Sequence, residues 1–411
     1  MEGSSNWLDF FKLRGSWGQN GNASIDPFQY LATISFDSGN GYYFGDDKAN
    51  LITGGYPDIL PNLDITWETS EQLNIGFDSR FANSRLGVVF DWYKKSTKDW
   101  LVQAPVLASY GTNAPFINGG VIENTGVELG LTWNETLNDF RYGISLNGAY
   151  NKNEVTHIAN AEGIIHGPNN VLSQGTTEMY RAQVGFPVGY FYGYQTDGIF
   201  QTAEEIAAYR SQGKGVLASA QPGDVIFTDR NGDGAISELD KTLIGNPHPD
   251  FTGGFNLNFG YKGFDLSVTA TGAFGHQIAK SYRSFADSPL QNYTTEVFQR
   301  WHGEGTSNRY PRLTMGSHTN SQYISDIYIE DGDYVKIQNM TLGYNLKSLA
   351  PNLPFGQARI YFTGQNLFTI TGYSGMDPEI GYGDSQGWVS GIDVGFYPSP
   401  RTFLVGINLT F

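Results

Sequence analysis

The run Asp229-Arg230-Asn231-Gly232-Asp233-Gly234-Ala235-Ile236-Ser237-Glu238-Leu239-Asp240 puts side-chain oxygens at loop positions 1, 3 and 5, glycine at 6, an apolar residue at 8 and a carboxylate at 12. Calcium takes about six to eight hard oxygen ligands, and this spacing wraps them round one point, with the Ala235 carbonyl at position 7. The residues therefore predict a structural calcium held by Asp229, Asn231, Asp233, Ala235 and Asp240. Asp240 is one methylene shorter than the glutamate usual at position 12, which weakens bidentate capping, and no long helix precedes the loop as a sensor pair would require. The competing reading is a pair of turns, Asn231-Gly232 and Asp233-Gly234, with solvated acids. Either way the loop is a fastening and not a catalyst.

Other chemistry is sparse. The six histidines, at 157, 166, 248, 276, 302 and 318, show no pair at metal-ligand spacing and are expected at the surface. Gly381, Gly383 and Gly387 miss the dinucleotide spacing by one residue and read as a loop. For Glu330, Asp331 and Asp333 the alternatives are an acid pair and an acidic turn entering a strand, and the turn is the expected reading. Thr202-Ala203-Glu204-Glu205 is a capping box that opens a short helix to about Arg210. Tyr180, Tyr190, Phe191, Tyr192, Tyr194, Tyr293, Trp301, Tyr310, Tyr323, Tyr382 and Trp388 fall between the regular segments. They suit either stacking on sugars or partners, or packing within the loops themselves. Nothing assembles a nucleophile, a base and an oxyanion site, so no enzyme is expected.

The elements that must position these loops alternate with a period of two. Phe403, Val405, Ile407, Leu409 and Phe411 are apolar, most residues between them are small or polar, and an aromatic residue closes the chain. Such a repeat over about ten residues is a tilted strand with one face in lipid and the other in a wet lumen. About eleven segments share this character, at 10–18, 28–36, 67–81, 85–102, 125–137, 140–155, 251–261, 264–278, 332–346, 357–370 and 402–411. Their connections are sorted: Ala82-Asn83-Ser84, Asn138-Asp139, Lys262-Gly263 and roughly 347–356 are short, and those between are long, the longest being 156–250. Outer-membrane barrels have short periplasmic turns and long outer loops, whereas a soluble sandwich has no reason to sort them. Phe259, Tyr261 and Phe264 bracket one short turn and Trp133, Phe140 and Tyr142 another, while Trp67, Trp92, Tyr93 and Trp100 fall toward the other rim, as aromatic girdles would.

Composition agrees with an all-β transmembrane antiparallel barrel. The 411 residues include 52 Gly, 25 Tyr, 27 Phe and 8 Trp but no Cys, and the net charge is −16. Aromatic content of 15% beside a negative mean hydropathy suits an apolar outer band around a polar lumen. The acidic balance argues against nucleic acid, since no basic stripe is present to displace counterions. No apolar run reaches about 18 residues, so no transmembrane helix is expected. Residues 1–5 have neither a basic nor an apolar region of an export signal, which for a membrane barrel predicts a fragment.

Several runs resemble SusC/RagA-type TonB-linked outer-membrane proteins of Bacteroidetes. Pro222-Gly223-Asp224-Val225-Ile226-Phe227-Thr228-Asp229, running on through Asp240 to Ile244-Gly245-Asn246-Pro247, resembles their central signature. So do Leu13-Arg14-Gly15-Ser16-Trp17-Gly18, Asn124-Thr125-Gly126-Val127-Glu128, Tyr192-Gly193-Tyr194 with Asp197-Gly198-Ile199-Phe200, Asn339-Met340-Thr341-Leu342-Gly343-Tyr344, Gly364-Gln365-Asn366-Leu367-Phe368 and the terminal Gly406 to Phe411. The resemblance implies the C-terminal part of a barrel of about 22 strands with a plugged lumen. It further implies energy from the TonB complex through an N-terminal plug, a SusD-like surface lipoprotein as lid, import of oligosaccharides or peptides, and insertion by the barrel assembly machinery reading Phe403, Val405, Ile407, Leu409 and Phe411. Plug, TonB-contacting segment and about half of the strands have no counterpart in this sequence, so a truncated barrel with two unpaired edges is expected. The rival readings are a passive porin or adhesin barrel and a soluble, calcium-stabilised carbohydrate-binding module.

Overall fold

In the computed structural model, residues 7–43, 45, 52–103, 106, 108–171, 175–281, 293–314, 318–380 and 388–411 are described. Gly381, Gly383, Gly387 and Tyr382 lie outside them. Ten long strands form one antiparallel sheet in chain order. They are β1 (Leu8–Asn22), β2 (Glu68–Phe81), β3 (Leu86–Lys98), β4 (Gly120–Leu137), β5 (Phe140–Ile158), β6 (Phe251–Tyr261), β7 (Phe264–Phe274), β8 (Tyr334–Asn345), β9 (Gln357–Thr371) and β10 (Thr402–Thr410). Among the described residues β1 pairs only with β2, and β10 only with β9.

One expected strand is absent from this sheet. Residues 28–36 split: Phe28 follows Pro27 with φ of 67° inside a turn, while Ile34–Tyr42 pairs with Ile52–Pro57 as a separate hairpin. A left-handed phenylalanine cannot continue a pleated strand. Among the described residues the count in this sheet therefore falls from eleven to ten, and the connection from β1 to β2 is a long one. Short and long connections then alternate along the whole chain. Two further boundaries move for the same reason: Asp99, with φ of 53°, ends β3, and Gly275, with φ of 81°, ends β7. At the short end, Lys262 and Gly263 have φ of 45° and 91°, the two positive values that a two-residue hairpin turn of matching twist requires.

The register sorts the side chains into two faces. Phe81, Leu86, Trp133, Ile144, Leu257, Val268, Met340, Gly364 and Phe403 lie side by side across nine strands. Rows above and below repeat this apolar character, and Phe403, Val405, Ile407 and Leu409 are 45–73% exposed on it. From Phe251 to Tyr261 the band runs ten residue steps along β6, about 34 Å along the strand and about 26 Å at a tilt of ~40°. That is the height of an outer-membrane apolar band. Among the described residues, no helix is long and apolar enough to span a membrane.

The girdle is half as expected. Phe140 packs against Phe259 and Tyr142 at centroid distances of 5.8 and 5.6 Å, and Phe264 against Tyr344 at 4.4 Å, all at the short-turn end. Trp67 and Trp92 stand toward the other end, but Tyr93 points to the polar face and Trp100 is buried at 7% exposure against Trp388. Both departures have a local cause: Tyr93 is one residue out of phase with Trp92, and Trp100 lies past the break at Asp99.

The packed core lies in the long loops. Tyr180, Phe191, Ile278, Ile324, Tyr328 and Ile392 are at most 1% exposed, and they come from three loops that fold together at one end of the sheet.

Candidate functional site: polar face and loop assembly

The inner face is built from small polar residues. Asn124, Asn147, Asn151, Asn256, Asn258, Thr269, Thr271 and Thr341 alternate with the apolar set and face away from it. Over this face lies a cavity of about 680 Å³ lined by Asp91, Glu128, Asn147, Asn256, Thr269 and, from the last long loop, Glu379. Glu379 is held there by Lys336 of β8, a lysine 3% exposed that also reaches Asp377 at 3.4 Å. The lining offers amide and hydroxyl hydrogen bonds with a carboxylate bias.

Three glycines on this face act as crossing points. Arg359 of β9 reaches Asp265 of β7 over Gly343 of β8, with Nε–Oδ1 of 2.8 Å. Arg14 reaches Asp91 at 2.7 Å over Gly76, and the Tyr93 hydroxyl donates to Asn151 at 2.9 Å over Gly126. A Cβ at Gly343 would lie 2.5 Å from Asp265 Oδ1, and one at Gly126 2.6 Å from the Tyr93 oxygen. Side chains two strands apart can meet only where the strand between them carries no side chain.

In the loop assembly, α1 (Ala203–Ser211) starts with half of the expected box: Thr202 Oγ1 accepts from Glu205 N at 3.2 Å, but the Glu205 carboxylate accepts at 2.6 Å from Gln201 N, one residue before the cap, where the box would have it take Thr202 N. The Pro222-Gly223-Asp224 run is a knot between two loops. The Asp224 carboxylate, 4% exposed, accepts from Arg312 Nε at 2.6 Å, Asn320 Nδ2 at 3.0 Å and Gln221 N at 2.9 Å. Gly223, at φ of 89°, lets the Trp301 ring lie on its Cα, and Gly198, at φ of 88°, does the same for Asn308. The motifs that carried the resemblance are thus places where loops are tied.

The twelve-residue loop is a closed unit. Asp229 accepts from Gly232 N and Gly234 N, both at 2.8 Å, and from Gly215 N at 3.0 Å. Asn231 Oδ1 accepts from Asp233 N at 3.0 Å, and Asp233 Oδ1 from Ala235 N at 2.9 Å. Asp240 has no exposed surface; its Oδ1 accepts from Arg230 N at 2.9 Å and its Oδ2 from Ser237 N at 2.8 Å, clamping the two ends together. Among the described residues, no three His, Cys, Asp or Glu side chains converge as a metal-binding group. An ionised carboxylate has about four lone-pair sites, so these bonds leave acceptor capacity on Asp229 and Asp233. Asp240→Ala is expected to take the acceptor from two part-buried amides, Arg230 N and Ser237 N, and cost about 1–2 kcal/mol, read as faster proteolytic nicking near residue 230 while the strands keep their far-UV signal; unchanged nicking would refute the clamp.

Of the ten loop aromatics among the described residues, five are core. Tyr180, Tyr190, Phe191, Tyr194 and Trp388 are buried, Tyr194 stacks on Tyr323 at 5.0 Å, and Tyr192 lies under Arg181 at 3.3 Å. Burial pushes the Tyr190, Tyr192 and Tyr194 hydroxyls above the ordinary phenol range. Of the histidines, His276 is buried rather than at the surface, and burial lowers it, His248 and His318 below the usual imidazole value. Glu330 joins Lys280, Arg309 and Ser374 rather than pairing with Asp333, which instead accepts from Gly275 N at 2.6 Å.

No protein-family profile matches the chain. TonB-dependent receptor P3 of Formosa agariphila is 33% identical over 99% of this chain and 40% of its own length. TonB-dependent receptor SusC of Bacteroides thetaiotaomicron is 28% identical over 99% of the chain and 38% of its own length. Among solved structures, the RagAB peptide transporter matches with a TM-score of 0.77 at 25% identity, over 99% of this chain and 42% of that one. The chain spans about two fifths of the length of the relatives it matches. Those relatives are named as receptors and transporters, not enzymes.

Proposed function

We propose, from the premise that this chain is similar in sequence and fold to the outer-membrane barrel of SusC/RagA-type TonB-dependent receptors, that it forms part of the wall and outer loops of a nutrient importer. The observation that carries this reading is the division of one ten-stranded sheet into an apolar face and an Asn/Thr-rich face roofed by ordered loops. In the working protein a SusD-like lipoprotein covers the loops, a plug driven by the TonB complex gates the lumen, and oligosaccharide or peptide passes along the amide-lined face. The terminal alternation from Phe403 to Phe411 serves as the assembly signal. Deleting the gene should abolish growth on such a polymer, and removing TonB should do the same. Uptake that persists without TonB would instead favour a passive porin.

Calcium belongs to the same proposal. Asp229, Asn231, Asp233, Asp240 and the Ala235 carbonyl supply its oxygens, and the ion stiffens the knot that anchors the roof. Adding calcium after chelation should slow nicking within 229–240 at least about threefold, an effect that Asp233→Ala removes; equal nicking with and without calcium overturns the assignment.

A further inference from the structure

The apolar face carries a depression. Gly148, Gly253 and Gly272 lie side by side on β5, β6 and β7, and the rings of Phe251 and Phe274 lean toward them, 2.9 Å from a Cβ built at Gly148 and 3.1 Å from one at Gly272. Beside them runs a groove of about 580 Å³ bounded by Leu129, Leu146, Phe255, Ala270 and Val335. All of these residues have the lipid-facing phase, and the groove lies toward the long-loop end, where Tyr150, Phe251 and Phe274 close it. Beyond that end, on the same face, Lys94 and Lys152 flank Thr125 in one row. Each lysine pairs with a neighbouring glutamate, Lys94 with Glu123 at 2.9 Å and Lys152 with Glu154 at 2.7 Å, and their side chains are 47% and 67% exposed.

We propose that this groove seats one acyl chain of an outer-leaflet lipid, with the lipid's phosphate end at the Lys94 and Lys152 row. The groove is continuous with the band that contacts hydrocarbon, so hydrocarbon is what covers it. Its volume lies within the ~300–1,000 Å³ in which proteins hold small organic molecules. Its lining is too apolar to hold water, and an unfilled gap forfeits dispersion contacts on both sides. A stable protein partner needs roughly 1,000 Å² or more of buried surface, which one side-chain-wide groove does not offer. A chain that follows the groove gains contacts the bulk leaflet does not give it, so one lipid stays when the others exchange. The inference goes beyond import and rests only on the outer-membrane placement.

The test uses the protein as isolated from the outer membrane, stripped of lipid in detergent and titrated with a single-chain palmitoyl phospholipid while intact complexes are weighed by native mass spectrometry. One lipid should bind before any other. Leu129→Trp and Leu146→Trp, at positions 44% exposed that can point a larger ring into the groove, should each weaken that first site at least about tenfold. Val405→Trp, on the same face but away from the groove, should leave it unchanged. No preferred first lipid, or equal binding in all three variants, overturns the proposal. Heat-modifiable gel mobility shows that each variant is folded, and Val127→Trp replaces any that is not.

Discussion

Gly343→Val is expected to destabilise the wall by about 2–3 kcal/mol, most of it from overpacking. The valine Cβ would occupy the line between Arg359 and Asp265, 2.5 Å from Asp265 Oδ1, so the ion pair must open or β8 must shift. The pair itself contributes little of this, about 1 kcal/mol at most, because its side chains are 21% and 39% exposed. The strand shift is the larger part, since β8 is fixed on both sides by ten or more register partners. The variant should lose its compact gel band at lower temperature than the parent, and Gly343→Val combined with Arg359→Ala should recover part of the loss. Additive damage in the double variant would contradict the crossing role.

Leu342→Arg is the second large effect. Leu342 stands between Leu266 and Phe362 in the middle of the apolar face, 49% exposed to what the sheet reading assigns as lipid. An arginine there should cost about 2–4 kcal/mol. Thr341→Arg, one residue away on the opposite face, gives up two hydroxyl contacts, to Thr363 at 2.8 Å and to Asn339 at 3.2 Å, and should cost about 1 kcal/mol because both sit on the polar face. Unfolding by denaturant in lipid vesicles compares the two directly. Equal costs would mean that the two faces meet the same medium.

The strand pattern was largely legible because alternation is local: Phe255, Leu257 and Phe259 against Asn256 and Asn258 can be read without knowing any partner. The loop sorting was legible for the same reason. The strand expected at 28–36 was misplaced because Phe28, Tyr30, Ile34 and Phe36 fit an alternation, while the φ of Phe28 is decided by the turn after Pro27. Trp100 looked like a girdle residue because the break at Asp99 leaves no mark in composition. The glycine crossings could not be read at all. They depend on register across three strands, and a glycine within a strand carries no sign of which side chains meet above it. The loop aromatics were undecidable for a related reason: Asp224 finds Arg312 and Tyr194 finds Tyr323 across many tens of residues, contacts that no local pattern encodes. The twelve-residue loop was legible as a turn system, and its spacing did mark the residues that close it. What the spacing could not reveal is that Asp240 serves as a buried clamp.

The central claim is that the sheet divides lipid from lumen. The chain contains no cysteine, so single cysteines can be placed one at a time along Phe251 to Tyr261 in the membrane-embedded protein. A fluorophore at Phe255, Leu257 or Phe259 should be quenched by nitroxide-labelled lipid and ignore a water-soluble quencher, and one at Asn256 or Asn258 should do the reverse. A scan without that period of two, or with water reaching both sets equally, would contradict the account.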